Sequence, residues 1–111
     1  VLDKNTKREE KRMQIEHKGT NELIITGNIK SIEDSMEIKK MITALQQNGA
    51  KQILLRIQDS FSMTSTVIGH LMKLVNIDKV TVSLIVGDQR LHQLLEELCL
   101  VRTFNVSLVG K

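Results

Sequence analysis

From Met13 onward the chain alternates between two hydrophobic periods, one near two residues and one near 3.6. Met13 and Ile15 alternate with polar neighbours, Lys18-Gly19-Thr20-Asn21 has turn composition, and Leu23-Ile24-Ile25 follows, a pattern that predicts a β-hairpin ended by Gly27-Asn28. Ser31 with Asp34 three residues on has capping-box spacing, and Ile38, Met41, Ile42 and Leu45 repeat at helical intervals up to the left-handed stop signal Asn48-Gly49. Gln52 to Ile57 is a short apolar run of the kind that sits inside a sheet. A polar loop from Gln58 to Thr64 leads into a second helix marked by Val67, Ile68, Leu71, Met72 and Val75. Val80 to Val86 reads as a strand, Gly87 as a turn and Asp88 as a cap. Leu91, Leu94, Leu95 and Leu98 stripe a third helix, and Val106 to Val109 forms a last strand.

The predicted order is ββαβαβαβ. Strands joined through helices pair in parallel by right-handed crossovers, whereas the opening hairpin is antiparallel. The fold class is therefore α/β, a single domain with a mixed β-sheet and packed helices. In such sheets functional loops lie past the carboxyl ends of the strands, which singles out the segment from Gln58 to Thr66.

Composition narrows the function. The 111 residues include 16 Lys and Arg, 13 Asp and Glu, two Phe, one Cys, and no Trp, Tyr or Pro. One core without disulfides or metal is within reach of a chain this long. Residues 1–12 hold five basic and three acidic groups and almost no apolar ones, so they read as a charged flexible tail preceding a domain over residues 13–111. That tail holds +2 of the net +3, and with only Phe61 and Phe104 for stacking, nucleic acid is not an expected partner. The longest apolar runs are far short of the ~18 residues of a spanning helix, and neither a signal-peptide pattern nor a pair of cysteines is present. The chain is expected to be cytoplasmic, without direct membrane insertion.

The chemistry-bearing residues do not converge. The glycines are scattered, so no phosphate loop or dinucleotide fingerprint exists. His17, His70 and His92 fall on three elements without metal-ligand spacing. Ser65 and His70, five apart on one helix, do not share a face as a nucleophile and base must. Cys99, four residues after Leu95, reads as a small buried hydrophobe. The expectation is a non-enzyme without cofactor or metal. The run Ser62-Met63-Thr64-Ser65-Thr66 stands at a helix start, where hydroxyls cap free backbone N–H groups and where an added phosphate meets the helix dipole.

The succession ELIITGNI, ILLRIQDSFSMTSTVIGHLMKL and VTVSLIVGDQRLHQLLEELCLVRTFNV resembles the STAS domain, the fold of bacterial anti-sigma factor antagonists, over almost the whole chain from Met13. Leu54-Leu55-Arg56-Ile57 stands where the family shows an aliphatic pair, Asp and Leu. Thr64-Ser65-Thr66-Val67-Ile68-Gly69 stands on the family's D-S-S-G-L-G. By resemblance Ser65 aligns with the serine that a partner kinase phosphorylates, with Thr64 and Thr66 as further candidates, and Gly69 keeps a place against the sheet. Arg56 would pair with a phosphate on Ser65 if it reaches that end of the sheet. The resemblance implies a regulatory protein that binds a serine kinase or anti-sigma-type partner in a partner-switching circuit, through Ser62, Met63, Thr64, Ser65, Thr66, Gly69, His70, Lys73 and Arg56. The alternative it implies is a constitutive adaptor subunit of a lipid or sulfate transporter or of a stress-sensing complex, for which Thr64 in place of Asp speaks.

Overall fold

The structure is a computed structural model and describes residues 13–109; the tail read over residues 1–12 lies outside them. In chain order the described elements are β1 (Gln14–Lys18), β2 (Glu22–Thr26), α1 (Ile32–Gln47), β3 (Gln52–Ile57), α2 (Ser65–Asn76), β4 (Thr81–Val86), α3 (Gln89–Glu97) and β5 (Val106–Leu108). They form one small α/β domain with a mixed five-stranded sheet. Its strands lie side by side in sequence order, with β1 antiparallel to β2 and the others parallel.

That order has a geometric consequence. Each parallel step moves to the next neighbour in the same direction, and crossovers of one hand then place every helix on the same face. Burial follows this rule. Leu23 and Ile25 of β2, Ile53, Leu55 and Ile57 of β3, and Val82, Leu84 and Val86 of β4 are buried and form one core with the inner faces of the helices. Their alternating neighbours Ile24, Leu54, Arg56, Ser83 and Ile85 are only half-buried, on the face that no described helix covers.

The helices form where their ends are satisfied. Ser31 caps α1, its hydroxyl accepting from Asp34 N at 3.0 Å while Asp34 Oδ2 accepts from Ser31 N at 3.1 Å. The helix buries Ile38, Ile42 and Leu45 and stops in a Schellman turn: Gly49, at φ +96, donates to Gln46 O and Ala50 donates to Leu45 O. α2 buries Val67, Leu71 and Leu74, and α3 buries Leu91 and Leu95.

Two expectations fail at the end of α3. The helix stops at Glu97, and Cys99 takes the left-handed position of a second Schellman turn at φ +60, donating to Glu96 O as Leu100 donates to Leu95 O. The four-residue relation to Leu95 therefore breaks. Cys99 is exposed rather than buried, and Leu98, the C-cap, is 47% exposed instead of continuing the stripe.

Candidate functional site

Three loops meet at the carboxyl end of the sheet: residues 27–31 after β2, 58–64 after β3, and 87–88 after β4. Their main chains are tied together by side chains distant in sequence. Ser60, fully buried, accepts from Ile29 N at 3.0 Å and donates to Ser62 O at 2.7 Å. Asp59 Oδ1 accepts from Gly27 N at 2.7 Å, and Asn28 Oδ1 accepts from Phe61 N at 3.2 Å. Gly87 closes the third side. A Cβ built there would lie 2.1 Å from Gln58 O, so only glycine lets the β4 end pass this close to the β3 end.

On this base the start of α2 is held by a chain of hydroxyls. Thr64 Oγ1 accepts from Val67 N at 3.2 Å and lies 2.7 Å from Ser35 Oγ, which in turn lies 3.1 Å from Ser31 O. One assignment satisfies all three contacts. Val67 N–H donates to Thr64, the Thr64 hydroxyl donates to Ser35, and the Ser35 hydroxyl donates to Ser31 O. This chain fastens α2 to α1 and occupies Thr64, whereas Ser65 and Thr66, the first two residues of the helix, are exposed. Backbone N–H groups of a first turn have no intrahelical partner, so a phosphate on Ser65 would enter a favourable field.

The nine partner-binding candidates separate in space. Ser65, Gly69 and Lys73 follow one another at four-residue steps along the outside of α2, with Thr66 and His70 beside them and Ser62 half-exposed just before. Met63 is instead turned into the core and offers a partner no contact surface. Gly69 does not pack on the sheet. It is exposed, and a Cβ on it would meet nothing within 4 Å, because the inner face of α2 belongs to Val67, Leu71 and Leu74. Arg56 is not brought to Ser65 either. It projects from the uncovered face of the sheet, where its Nε donates to the Glu22 carboxylate.

The electrostatics of α2 are local. Lys73 Nζ donates to Asp78 Oδ2 at 3.3 Å, and Gln46 Nε2 donates to the same oxygen at 3.2 Å. The Gln46 hydrogen bond foremost, with help from Lys73, holds the Asp78 carboxyl below its ordinary value. Burial pushes the His70 imidazole below its ordinary pKa, and the charges of Lys39 and Lys73 add to this against a smaller opposing effect of Asp78. Its Nε2 is buried without a hydrogen-bond partner, in keeping with a neutral ring.

One feature of the rim escaped the sequence reading. Phe61 is 45% exposed, and the Arg90 guanidinium lies 4.7 Å above its ring centroid. Arg90 is fixed in turn by Asp88, with Nε 3.0 Å from Oδ1 and the terminal nitrogen 2.7 Å from Oδ2. These bonds hold the Asp88 carboxyl below its ordinary range. The signal is a lone aromatic between two serines in a loop whose other residues, Met63 apart, are polar. Among the described residues no group of His, Cys, Asp and Glu is placed to hold a metal ion, and no helix is long and apolar enough to cross a membrane. No protein-family model matches the chain, and no curated protein matches it.

Proposed function

We propose that this protein is a non-enzymatic STAS-type docking module of the cytoplasm that resembles an anti-sigma factor antagonist and switches partners through Ser65. The observation that carries the reading is the division of labour among the hydroxyls at the α2 start: Thr64 is consumed in the cap and the Ser35 contact, while Ser65 stands exposed beside it. A serine kinase or anti-sigma-type partner would rest on Ser65, Thr66, Gly69 and Lys73, where the missing Gly69 side chain allows close approach. Phosphate on Ser65 adds about −1.5 to −2 charge to that surface. Burying such charge against the partner opposes docking, and a loss of about 3 kcal/mol weakens binding roughly a hundredfold.

A second reading has its own support. Thr64 is uncharged and does its work as a cap without any modification of its neighbour, and the two cations among the candidate residues, Arg56 and Lys73, are already paired with Glu22 and Asp78. A constitutive adaptor subunit, attached to a lipid or sulfate transporter or to a stress-sensing complex, needs the same surface and no switch.

Affinity capture from native-cell extract with wild-type, Ser65→Ala and Ser65→Asp baits separates the two. The switch predicts a kinase-like partner kept by Ala and lost by Asp, with phosphate on Ser65 of the wild type. The same partner on all three baits and no phosphate would replace the switch by the adaptor.

A further inference from the structure

The outward face of α1 carries two neighbouring exposed large hydrophobic residues, and it has no place in the site above. Ile32 is 75% and Met36 54% exposed, one turn apart, although the inner face of the same helix is fully committed to the core. The charges around them fall in two blocks. Glu33 and Glu37 stand in the first half of the face and Lys40 in the second, with Lys39 half-buried at the flank toward His70 of α2, followed by the exposed and smaller Thr43 and Ala44. Among the described residues the side chains of Glu33, Glu37 and Lys40 make no hydrogen bond or ion pair. Glu33 and Glu37 are four apart, a spacing at which like charges repel on a helix.

We propose that this face binds the same face of a second copy of the chain, with the two α1 helices antiparallel about a two-fold axis. A polar helix half acidic and half basic is complementary to itself only in that direction, since a parallel pair would set Glu against Glu and Lys against Lys. With the axis level with residue 38, Ile32 of one copy lies level with the small Thr43–Ala44 end of the other, Met36 with the alkyl stem of Lys40, and Glu37 within one residue of Lys40 on the same flank. Isologous symmetry makes each of these contacts twice. The large side chains thus meet small or flexible ones, and both acidic residues come within about a turn of a lysine. The 16-residue helix is about 24 Å long. A single helix pair of that length buries less than the ~1,200 Å² at the lower end of stable interfaces, so the dimer is weak, concentration-dependent and salt-sensitive. The first twelve residues of the chain are the rival occupant. Their five basic groups suit Glu33 and Glu37, but Val1 and Leu2 are their only large aliphatic residues to cover Ile32 and Met36.

Sedimentation equilibrium on the full chain, over a hundredfold range of concentration, tests the proposal. The wild type is expected to dimerise reversibly, with the association weakened at least about tenfold by raising salt from ~0.05 M to ~0.5 M. Two charge variants provide the decisive arm: Glu33→Lys with Glu37→Lys makes the face basic, and Lys39→Glu with Lys40→Glu makes it acidic. Each variant alone, its fold checked by circular dichroism, should be monomeric, and the two mixed should form a one-to-one heterodimer, which misfolding cannot imitate. A wild type that stays monomeric throughout, or variants that do not associate when mixed, would overturn the proposal. So would dimerisation that appears only after residues 1–12 are deleted, which would assign the face to the chain's own beginning.

Discussion

The loop before α2 and the turn after α3 both reverse the chain at the edge of the same core, and they do so by opposite means. Residues 58–64 are held by side chains acting over long sequence distances, through Ser60 on Ile29, Asp59 on Gly27 and Thr64 on Ser35. Residues 98–105 are held mainly by local main-chain bonds, from Cys99 to Glu96, Leu100 to Leu95, Phe104 to Leu100 and Asn105 to Arg102, joined to the sheet by Leu84 N on Phe104 O and by Asn105 Nδ2, which donates to Val82 O at 2.9 Å. The first arrangement depends on the identity of particular side chains. The second depends on backbone conformation, and two non-glycine residues, Cys99 at φ +60 and Asn105 at φ +48, sit in the left-handed region to achieve it. A loop that must present a fixed surface gains from the first kind of restraint, because each bond ties it to a different element of the scaffold.

Substitutions should expose the contrast. The largest effect is expected from Gly87→Ala, because the new methyl would overlap Gln58 O and force one strand end away from the other. A loss of about 3 kcal/mol is expected, read as a fall in Tm of more than about 10 °C in a thermal melt. Ser60→Ala comes next, since it leaves the buried Ile29 N–H without its acceptor. About 2 kcal/mol should be lost in urea unfolding with little change in m. Thr64→Ala removes the cap and the Ser35 contact and should cost about 1 kcal/mol, whereas Thr64→Ser should restore most of it. At the α3 turn the sign reverses. Cys99→Gly should raise stability by about 1 kcal/mol, as Gly49 already serves at the equivalent turn of α1. A destabilised Cys99→Gly would mean that the thiol makes a contact the comparison leaves out.

The outside of α2 offers the mildest test of the same idea. Gly69 was expected against the sheet, where Gly69→Leu would destabilise; the open space around it predicts instead that Gly69→Ala stabilises the helix by about 0.5 to 1 kcal/mol. An Ala variant that is more stable yet binds its partner less well would tie the residue to docking rather than to folding.

Much of the architecture was legible because its causes are local. The capping box at Ser31, the glycine stop after α1, the alternation of β2 and the inner stripes of the helices follow from periods that a few neighbouring residues define. Reading failed where a local rule was extended past its range. A helical period continued from Leu91 and Leu95 predicts Leu98 and Cys99 inside, but the left-handed turn at Cys99 ends the period at Glu97. Leu74 lies outside the predicted stripe Val67, Ile68, Leu71, Met72 and Val75 yet is fully buried, because the apolar face of α2 is broader than one row. Met63 sat in a polar loop, and nothing near it in sequence states that the loop folds inward at that point.

Local periodicity set which segments become strands and helices and, away from the helix ends and loops, which of their faces turn inward, since both depend on backbone geometry repeating every two or 3.6 residues. Tertiary structure decided which hydroxyl of Thr64, Ser65 and Thr66 is spent on the scaffold and which remains exposed. It also decided that Arg56 faces Glu22 across the open side of the sheet. Those outcomes belong to partners about thirty residues apart, Thr64 with Ser35, Ser60 with Ile29 and Arg56 with Glu22, and such partners are chosen only when the elements dock.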